Sequence, residues 1–481
     1  AQNLQTRASS LAQLMAARYP AGSVISFMLP NWNEAAIIYL AATMAGLIAH
    51  PVLPSLREHE LGFMLNDVGC RMIFIPDEYR GHDYSGMLSA VTKQMDHGPQ
   101  VVTVRAAQNG NSEHTHFESL FDGKRSASLA APEPDAVRMI MYTSGTTGRP
   151  KGVMHSHNSL HALIQQIGEH WLIDKGDKFL VASPISHIGG SIYAFECPLL
   201  LGTTAVLMER WDATDAIAKF LSEQCTHFAG ATPFLVQMLA AARAANTRLP
   251  HLKLFICGGA SVPPSLIREA AGYFEHAAVT RVYGSTEVPV TTVGVVKQSD
   301  LHHAAETDGQ IGIASVAIVD SNGVNAETGE VVALGPQMLV GYVHAEDEEN
   351  AFLDNGFYRT GDLGRWVDND YLLIDGRAKD IIIRHGENIA PKELEDLLLE
   401  HPDISEVAIV GLPDEKTGER ACAVLVAANA AAPDLDDVRS YLNDKGVAKF
   451  KIPEQVVVWG ALPKNDAGKV LKHQIRATIL A

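Results

Sequence analysis

The chain has 481 residues, of which 47% are hydrophobic and 20% charged, and it carries a formal net charge of −18 at pH 7. This length exceeds the size at which a single hydrophobic core keeps growing, and the composition excludes wholesale disorder, so we expect at least two domains. The negative charge argues against nucleic acid or an anionic membrane surface as a main partner, because most of the protein surface would repel either one. Any anionic ligand must therefore meet local hydrogen-bond donors.

Three features bear on the membrane and the compartment. The longest apolar stretch, residues 35–49, is too short to span a bilayer and predicts a buried helix. The five cysteines are scattered without CxxC pairing, which indicates neither a zinc site nor a disulfide framework. The opening residues lack a basic segment followed by an apolar run, so we expect no signal peptide and a cytoplasmic protein.

Strand-like apolar runs alternate with helical stretches through the first three quarters of the chain. Alternation of this kind predicts α/β sheets with crossover helices. The candidate strands are residues 23–28, 72–76, 101–104, 137–142, 178–182, 204–208 and 252–257. After about residue 310 the sequence pattern changes to short strand-like segments separated by turn residues, which predict a small β-rich subdomain.

The last quarter of the chain has a different organisation. A charged, glycine-containing segment at residues 375–380 separates two apolar runs, and it fits either a hairpin turn or an interdomain hinge. Residues 391–401 predict a helix, because leucines recur at helical spacing after an initial proline. Residues 407–410 predict a strand. We expect residues 1–378 to form a large N-terminal domain of two α/β subdomains plus the β-rich one. Residues 379–481 should form a small, mobile α+β C-terminal domain.

The most informative segment is residues 143–152, which read Thr-Ser-Gly-Thr-Thr-Gly-Arg-Pro-Lys-Gly directly after a strand-like run. Glycines let backbone N–H groups approach a phosphate, hydroxyls donate hydrogen bonds, and the lysine adds positive charge, so the segment is a candidate phosphate cradle. It is not a P-loop, because the glycine spacing differs and the lysine is followed by glycine rather than serine or threonine. An exposed flexible linker is the alternative interpretation.

This segment resembles the signature of the adenylate-forming superfamily, which includes acyl-CoA synthetases, stand-alone adenylation domains and firefly luciferase. Four further motifs resemble the remaining signatures of that family and occur in the family's order. They are Tyr283-Gly284-Ser285-Thr286-Glu287, Tyr358-Arg359-Thr360-Gly361-Asp362, Gly376-Arg377 with Lys379, and Pro463-Lys464-Asn465-Asp466-Ala467-Gly468-Lys469. The set is highly specific, although each motif alone would be a weak or moderate signal.

The resemblance implies an ATP-dependent, AMP-forming carboxylate–CoA ligase that uses ATP, Mg²⁺ and coenzyme A. A carboxylate is a poor electrophile, and ATP converts one of its oxygens into a leaving group while phosphate charge is neutralised. The acid would attack the α-phosphorus, pyrophosphate would depart, and the acyl-AMP would then react with the thiol of coenzyme A. The implied partners are therefore a small carboxylic acid, ATP and coenzyme A, without nucleic acid or a membrane span, and a homodimer is left open.

The resemblance also implies a role for each nucleotide-binding residue. Those expected to hold the phosphates are Thr143, Ser144, Gly145, Thr146, Thr147, Gly148 and Lys151. Gly284 and Ser285 would also bind the nucleotide, and Thr286 would contact its α-phosphate. Glu287 would ligate Mg²⁺, an ion that binds well to a single carboxylate. The adenine-binding residues would be Gly258, Gly259, Ala260 and Tyr283. Asp362 and Arg377 would bind the ribose hydroxyls, with a structural salt bridge as the alternative.

The remaining implied roles concern catalysis and the second step. Lys469 would stabilise charge at the α-phosphate, and His187 would gate the acyl site, unless it is a buried structural histidine. Lys379 marks the expected hinge, about which the C-terminal domain rotates to present His385 and Gly386 to the thiol. Many family members carry lysine at the position of Ile383 in this segment.

Three other functions compete with a coenzyme A ligase. An acyl-AMP ligase could load a separate acyl carrier protein, and a luciferase-like oxygenase would share every adenylation motif. A non-enzymatic nucleotide-binding module would be expected to have lost Lys469 or Glu287, and both are present. The segments expected to line the acyl pocket are small or apolar, so we expect a monocarboxylic acid of modest size: residues 188–195, 229–234, 257–260 and 288–292.

Overall fold

A computed structural model provides the structure of the protein. It describes residues 2–106, 113–122, 128–129, 131–143, 149–259, 262–385, 387–414, 416–429, 432–465 and 468–481. Strands and helices alternate through most of the chain, which confirms the predicted α/β class. The seven candidate strands of the first three quarters are present, with bounds that differ from the prediction by at most two residues, and the strand predicted at residues 407–410 lies within the longer strand Ile404–Asp414.

The strands are numbered in chain order. They are β1 (Val24–Phe27), β2 (Ile48–Pro51), β3 (Met72–Pro76), β4 (Glu78–Tyr79), β5 (His82–Asp83), β6 (Gln100–Val104), β7 (Thr115–His116), β8 (Val137–Thr143), β9 (Lys151–Ser156), β10 (Lys178–Val181), β11 (Thr204–Leu207), β12 (His227–Gly230), β13 (Leu254–Gly258), β14 (Ala278–Val282), β15 (Thr292–Gly294), β16 (Gln310–Ile311), β17 (Ser315–Val319), β18 (Thr328–Leu334), β19 (Gly341–Tyr342), β20 (Tyr358–Val367), β21 (Tyr371–Arg377), β22 (Ile382–Arg384), β23 (Glu387–Ile389), β24 (Ile404–Asp414), β25 (Gly418–Ala427) and β26 (Gln455–Trp459).

The α-helices are numbered in the same way. They are α1 (Gln2–Arg18), α2 (Asn33–Met44), α3 (Glu58–Asp67), α4 (Tyr84–Thr92), α5 (His157–His170), α6 (Ile188–Ser191), α7 (Cys197–Leu201), α8 (Ala213–Glu223), α9 (Thr232–Ala244), α10 (Pro264–Tyr273), α11 (Leu301–Glu306), α12 (Pro391–Leu398), α13 (Leu435–Asp444) and α14 (Lys472–Leu480). None of the helices in the described ranges combines the length and apolarity that crossing a bilayer would need.

The apolar run at residues 35–49 does not form one buried helix, so that prediction was wrong. Helix α2 ends at Met44, and Gly46 follows with a φ of +66°, a left-handed conformation that glycine adopts without strain. The chain then continues as β2, in which Ile48 lies opposite Val24 of the parallel strand β1. An apolar run can be buried in either a helix or a strand, so hydrophobicity alone could not place this boundary.

The chain divides into two compact units. The first unit comprises residues 1–228, 286–289 and 335–349, and the second comprises residues 229–285, 290–334 and 350–481. The first unit contains an eight-stranded sheet in the order β19-β9-β8-β2-β1-β3-β6-β7. Its strands pair in parallel except at β8–β9 and β9–β19, which are antiparallel. Helices α3 and α4 contribute Leu65 and Leu88 to a buried cluster with Ile73 and Ile75 of β3.

The second unit contains two further sheets. One is antiparallel, in the order β15-β16-β21-β20-β18-β17, and confirms the β-rich region expected after residue 310. The other has the order β23-β22-β25-β24, with β26 beside β25. Neighbouring residues of β24 enter different clusters, Ile409 with α12 and α13 and Val410 with α14, so helices cover both faces of this sheet.

The segment at residues 375–380 connects the two sheets of the second unit. Strand β21 ends at Arg377 in the six-stranded sheet, a short 3₁₀ turn spans Ala378–Asp380, and β22 begins at Ile382 in the other sheet. Of the two alternatives left by the sequence, the hairpin turn is therefore wrong, because β21 and β22 do not pair.

A buried ion pair lies in the interior of the first unit. Arg138 on β8 approaches the Glu196 carboxylate at 2.9 Å, and both side chains are almost completely buried. The Tyr39 hydroxyl of α2 donates a hydrogen bond to the same carboxylate. Glu196 ends a π-helical turn that continues the helix begun after His187, so this pair fixes the segment at its buried side.

We predict that Glu196→Gln destabilises the protein by about 3 kcal/mol, because it leaves the buried Arg138 cation without a countercharge. Thermal denaturation of the purified variant measures this change. The matched control is Glu269→Gln, which breaks an exposed 2.7 Å pair with Arg243 and should change stability by less than about 0.5 kcal/mol. Equal shifts in the two variants would contradict the prediction.

Candidate functional site

Two residues of the predicted phosphate cradle lie opposite each other on paired strands of the first unit. Thr143, the last residue of β8, is paired with Lys151, the first residue of β9. The predicted cradle residues between them lie outside the described residues: Ser144, Gly145, Thr146, Thr147 and Gly148. The pairing of β8 with β9 therefore brings a hydroxyl-bearing residue and a lysine opposite each other.

The cations after the loop are paired with an acidic residue. Arg149 approaches the Asp347 carboxylate at 2.8 Å, and the Lys151 ammonium lies 3.6 Å from the same group. The Lys151 ammonium also lies 5.3 Å from the centre of the Tyr342 ring, on its face. A polyanionic ligand at this loop would have to compete with Asp347 for these two cations.

Three hydrogen bonds attach Thr286 and Glu287 to strand β9 and to the segment that leads into and includes β19. Nε2 of His155 on β9 lies 2.7 Å from the Thr286 carbonyl oxygen, which can only accept, so this nitrogen must carry the proton. Burial lowers the pKa of His155 to about 4, which keeps the ring neutral. The Leu339 N–H donates to the Glu287 carbonyl oxygen at 2.7 Å, and the Tyr342 hydroxyl donates to Glu287 Oε1 at 3.2 Å.

Sequence reasoning did not identify His155 or Tyr342 as parts of this arrangement. Both residues lie outside the five motifs. No spacing rule could have found the contacts, since they join residues 131 and 55 positions apart.

The surroundings of Glu287 suit one particular kind of cation. No group of three His, Cys, Asp or Glu residues in the described ranges could hold a metal ion without other ligands. A single carboxylate with one oxygen already hydrogen-bonded fits magnesium, which retains water and takes further ligands from substrate phosphates. The residues present therefore fit the Mg²⁺ that the motif implies.

The predicted ribose-binding residues meet in the second unit. Asp362 on β20 and Arg377 on β21 are cross-strand partners, and Arg377 Nε lies 2.7 Å from Asp362 Oδ1. The Tyr283 hydroxyl donates to the other oxygen of this carboxylate at 2.6 Å. Burial, followed by the nearby Asp362 charge, raises the pKa of Tyr283 well above its usual range, so its hydroxyl remains a donor.

The predicted adenine-binding glycines end β13 in the same unit. Gly258 lies opposite Val282 in the neighbouring strand, and a side chain at Gly258 would approach the Val282 carbonyl oxygen to 2.7 Å. Only glycine therefore allows these strands to pair at the point where the chain leads into Tyr283. Gly259 follows at a positive φ, and Ala260 lies outside the described residues.

Lys469 is carried by a short hairpin that Asn465 holds closed. The Lys469 N–H donates to the Asn465 side-chain oxygen at 2.8 Å, and the Asn465 N–H donates back to the Lys469 carbonyl at 2.9 Å. A side chain at the neighbouring Gly468 would lie 3.8 Å from Pro233, in the first turn of α9. The hairpin thus lies against the start of α9, and its residues Asp466 and Ala467 lie outside the described residues.

The Lys469 ammonium shares an electrostatic environment with the predicted ribose pair. Burial is the largest cause that lowers its pKa, to about 8, and the charge of Arg377 is the next. Asp362 acts in the opposite direction. The residue as a whole is exposed to solvent, and the charges of both Arg377 and Asp362 act on its ammonium. The structure therefore brings Tyr283, Asp362, Arg377 and Lys469 together.

The other predicted residues are distributed over both units. In the first unit His187 precedes α6, and its carbonyl oxygen accepts from the Gly190 and Ser191 N–H groups.

In the second unit Lys379 lies exposed in the turn after Arg377 and is a charged neighbour of Lys469. Gly284 is exposed and Ser285 half-buried in the segment that follows Tyr283. His385 is exposed at the end of β22 and is not among the charged neighbours of Lys469, and Gly386 lies outside the described residues.

Comparison with known protein families gives two matches. The family model described as AMP-binding enzyme matches residues 2–343, and the model described as AMP-binding enzyme C-terminal domain matches residues 393–469. Together they cover most of the chain and contain the cradle, Glu287 and Lys469.

Individual relatives resemble the chain over nearly its whole length. The medium-chain fatty-acid–CoA ligase of Escherichia coli K12 is 32% identical over 99% of this chain and 85% of its own length. The long-chain-fatty-acid–CoA ligase FadD13 of Mycobacterium tuberculosis is 31% identical over 95% of this chain and 88% of its own. Among solved structures, ATP-bound MatB from Rhodopseudomonas palustris has a TM-score of 0.88 at 27% identity, covering 99% of this chain and 92% of MatB.

We predict that acylation of Lys469 by trace acetic anhydride shows a pH midpoint of about 8, because only the neutral amine reacts. Ordinary lysines titrate near 10.4. Mass spectrometry of the labelled peptides measures the midpoint for each site.

The charge neighbours of Lys469 supply the controls for this labelling. Arg377→Gln should move the midpoint upward, because it removes the neighbouring charge that lowers this pKa most. Arg243→Gln, at the exposed pair with Glu269, should leave it unchanged. A wild-type midpoint above 10 would contradict the lowered pKa of Lys469.

Proposed function

We propose that this chain, which belongs to the AMP-binding enzyme family, activates an apolar monocarboxylic acid with Lys469 as the catalytic cation. It acts as an ATP-dependent, AMP-forming carboxylate–CoA ligase. In the first step the acid's oxygen attacks the α-phosphorus of ATP, which gives acyl-AMP and pyrophosphate. In the second step the coenzyme A thiol, losing its proton, attacks the acyl carbon and releases AMP.

The observation that carries this proposal is the position of Lys469 beside the Asp362–Arg377 pair. A carboxylate gripped by an arginine and a tyrosine suits the acceptor that two ribose hydroxyls need. The Lys469 ammonium, with a pKa of about 8, is largely protonated at pH 7 and can stabilise negative charge near such a nucleotide.

The nucleotide's other groups are assigned to residues within each unit. In the first unit we assign phosphate binding to the cradle and Lys151, the α-phosphate to Thr286, and the magnesium ligand to Glu287. Bound magnesium would supply charge neutralisation on the phosphates. In the second unit we assign adenine binding to Tyr283 and its neighbouring motif residues and to the glycine segment at residues 258–260.

The second step is assigned to a rearrangement about Lys379. This exposed residue follows Arg377 in the segment that joins two sheets, where a change in backbone torsion would move the remainder of the chain. We accordingly place the domain boundary between residues 1–378 and 379–481. The segment at residues 384–388, with His385 and Gly386, would then approach the thiol, and His187 would move aside to admit it.

Three further points complete the proposal. Coenzyme A is the acceptor rather than a carrier protein, since the relatives are named as CoA ligases. A medium-chain fatty acid is the first candidate acid, supported by the E. coli relative and by the lack of any charged side chain in residues 188–195 and 229–234. Five buried free thiols, Cys70, Cys197, Cys225, Cys257 and Cys422, support a reducing, cytoplasmic location.

We predict that Lys469→Ala slows acyl-AMP formation by about 10²- to 10³-fold, the usual cost of removing one transition-state charge contact. The same variant should form thioester from supplied acyl-AMP within about twofold of the wild type, because the lysine is assigned to the first step only. Pyrophosphate release and coenzyme A consumption measure the two steps separately.

Lys445→Ala is the matched control for Lys469→Ala. It removes an exposed lysine of the same terminal region, one that pairs with Glu400 at 2.6 Å, and both steps should proceed normally. A variant at Lys469 that lost both steps equally would contradict the assignment of this residue to adenylation.

We predict that octanoate gives a kcat/KM at least about a hundredfold above octanedioate in pyrophosphate release. The two acids have equal length, and the second carboxylate would be desolvated without a cation to pair with it. A wider panel containing benzoate, hexadecanoate and amino acids would define the class. Preference for the dicarboxylate or for an amino acid would overturn the proposed substrate.

A further inference from the structure

Tyr342 occupies a fixed position in the first unit. It is buried, at 4% exposure, and it pairs with Val153 of β9 as the last residue of β19. Its N–H donates to the Glu348 carboxylate at 3.1 Å. A side chain held at its backbone by strand pairing and at its ring by burial has little rotational freedom.

Two groups with assigned roles contact this one side chain. The Lys151 ammonium lies over the ring face at 5.3 Å from its centre, while the hydroxyl at the far end of the ring donates to Glu287 Oε1 at 3.2 Å. Glu287 and Lys151 are 136 positions apart in the sequence, and the phenol contacts both. Within the described part of the chain, no other side chain hydrogen-bonds the Glu287 carboxylate.

We propose that Tyr342 is a positioning residue that orients the Glu287 carboxylate toward the nucleotide's magnesium ion and holds the Lys151 ammonium beside it. This inference rests on the proposed role of Glu287 as the magnesium ligand. It assigns to Tyr342 a function that none of the five sequence motifs contains.

The physical reason lies in how magnesium binds. Magnesium demands near-ideal octahedral geometry and keeps much of its water, so a protein that offers a single carboxylate must present it in one orientation. A hydrogen bond to one carboxylate oxygen restricts rotation about the terminal torsion of the glutamate, and outer-shell partners of this kind commonly contribute 10- to 100-fold in metal affinity. Removal of the Tyr342 hydroxyl therefore leaves Glu287 able to rotate.

The ring performs a separate task from the hydroxyl. The negative face of the ring attracts the Lys151 ammonium, and the Asp347 carboxylate, whose Oδ1 lies 3.6 Å from Lys151 Nζ, attracts the same group. Tyr342→Phe keeps the ring and removes only the donor, whereas Tyr342→Leu removes both. The two variants consequently separate the effect on the magnesium ligand from the effect on the lysine.

The test is ATP binding measured by isothermal titration calorimetry, without any acid substrate, in EDTA and in excess Mg²⁺. Wild type should bind ATP more tightly with Mg²⁺ than in EDTA. Tyr342→Phe should match wild type in EDTA and bind about tenfold more weakly with Mg²⁺. Tyr342→Leu should in addition bind more weakly in EDTA, because Lys151 has lost the ring.

Two control variants give the comparison its meaning. Tyr19→Phe also removes one phenol hydroxyl, which donates to Gln100 at 3.2 Å near the opposite end of the eight-stranded sheet, and it should match wild type in both buffers. Glu287→Gln should lose the Mg²⁺-dependent tightening, and adding Tyr342→Phe to it should cause no further loss.

The outcomes separate this inference from the function on which it rests. Tyr342→Phe binding like wild type in Mg²⁺, or weakened equally in both buffers, would overturn the role of Tyr342. Glu287→Gln retaining full Mg²⁺-dependent tightening would instead overturn the assignment of Glu287. Wild-type protein that bound no ATP in either buffer would overturn the proposed nucleotide chemistry itself.

Discussion

The contact on which the second unit's candidate site depends is the pairing of the buried Asp362 with the half-buried Arg377. The two residues face each other across β20 and β21, and Tyr283 takes the second carboxylate oxygen. Of the charges near Lys469, those of these two residues have the largest effects on its pKa: Arg377 lowers it and Asp362 raises it. The salt bridge that the sequence left as an alternative to ribose binding is therefore present. It is compatible with ribose binding, because a carboxylate held in one orientation is a better acceptor for hydroxyls than a mobile one.

An acidic protein that binds a triphosphate must keep its cations available without leaving them unpaired. With a net charge of −18, the chain gains nothing from long-range attraction, so anion binding depends on local groups. Arg149 and Lys151 are paired with Asp347, which holds both cations next to one acidic residue. Lys469 differs from these two cations, since burial and the neighbouring Arg377 charge lower its pKa, and an anion bound beside it would favour the charged form.

The β8–β9 hairpin links the cradle to the segment that carries Glu287. It carries Thr143 and Lys151 of the predicted cradle, and His155 further along β9 donates to the Thr286 carbonyl oxygen. Strand β19 pairs with the outer side of β9 and brings Tyr342 to Glu287. One antiparallel edge of a mostly parallel sheet thus organises phosphate-binding and metal-binding candidates together, within a single unit.

The sequence by itself determined the α/β class, the family, the order of the motifs and the chemical type of each candidate residue, because these depend on local periodicity and on residue identity. It could not decide that residues 35–49 split into a helix and a strand, since burial favours apolar residues equally in both. It also could not show that His155 and Tyr342 hold Thr286 and Glu287. Those contacts exist only because strand pairing brings distant segments of the chain side by side, and tertiary structure alone decides which strands are neighbours.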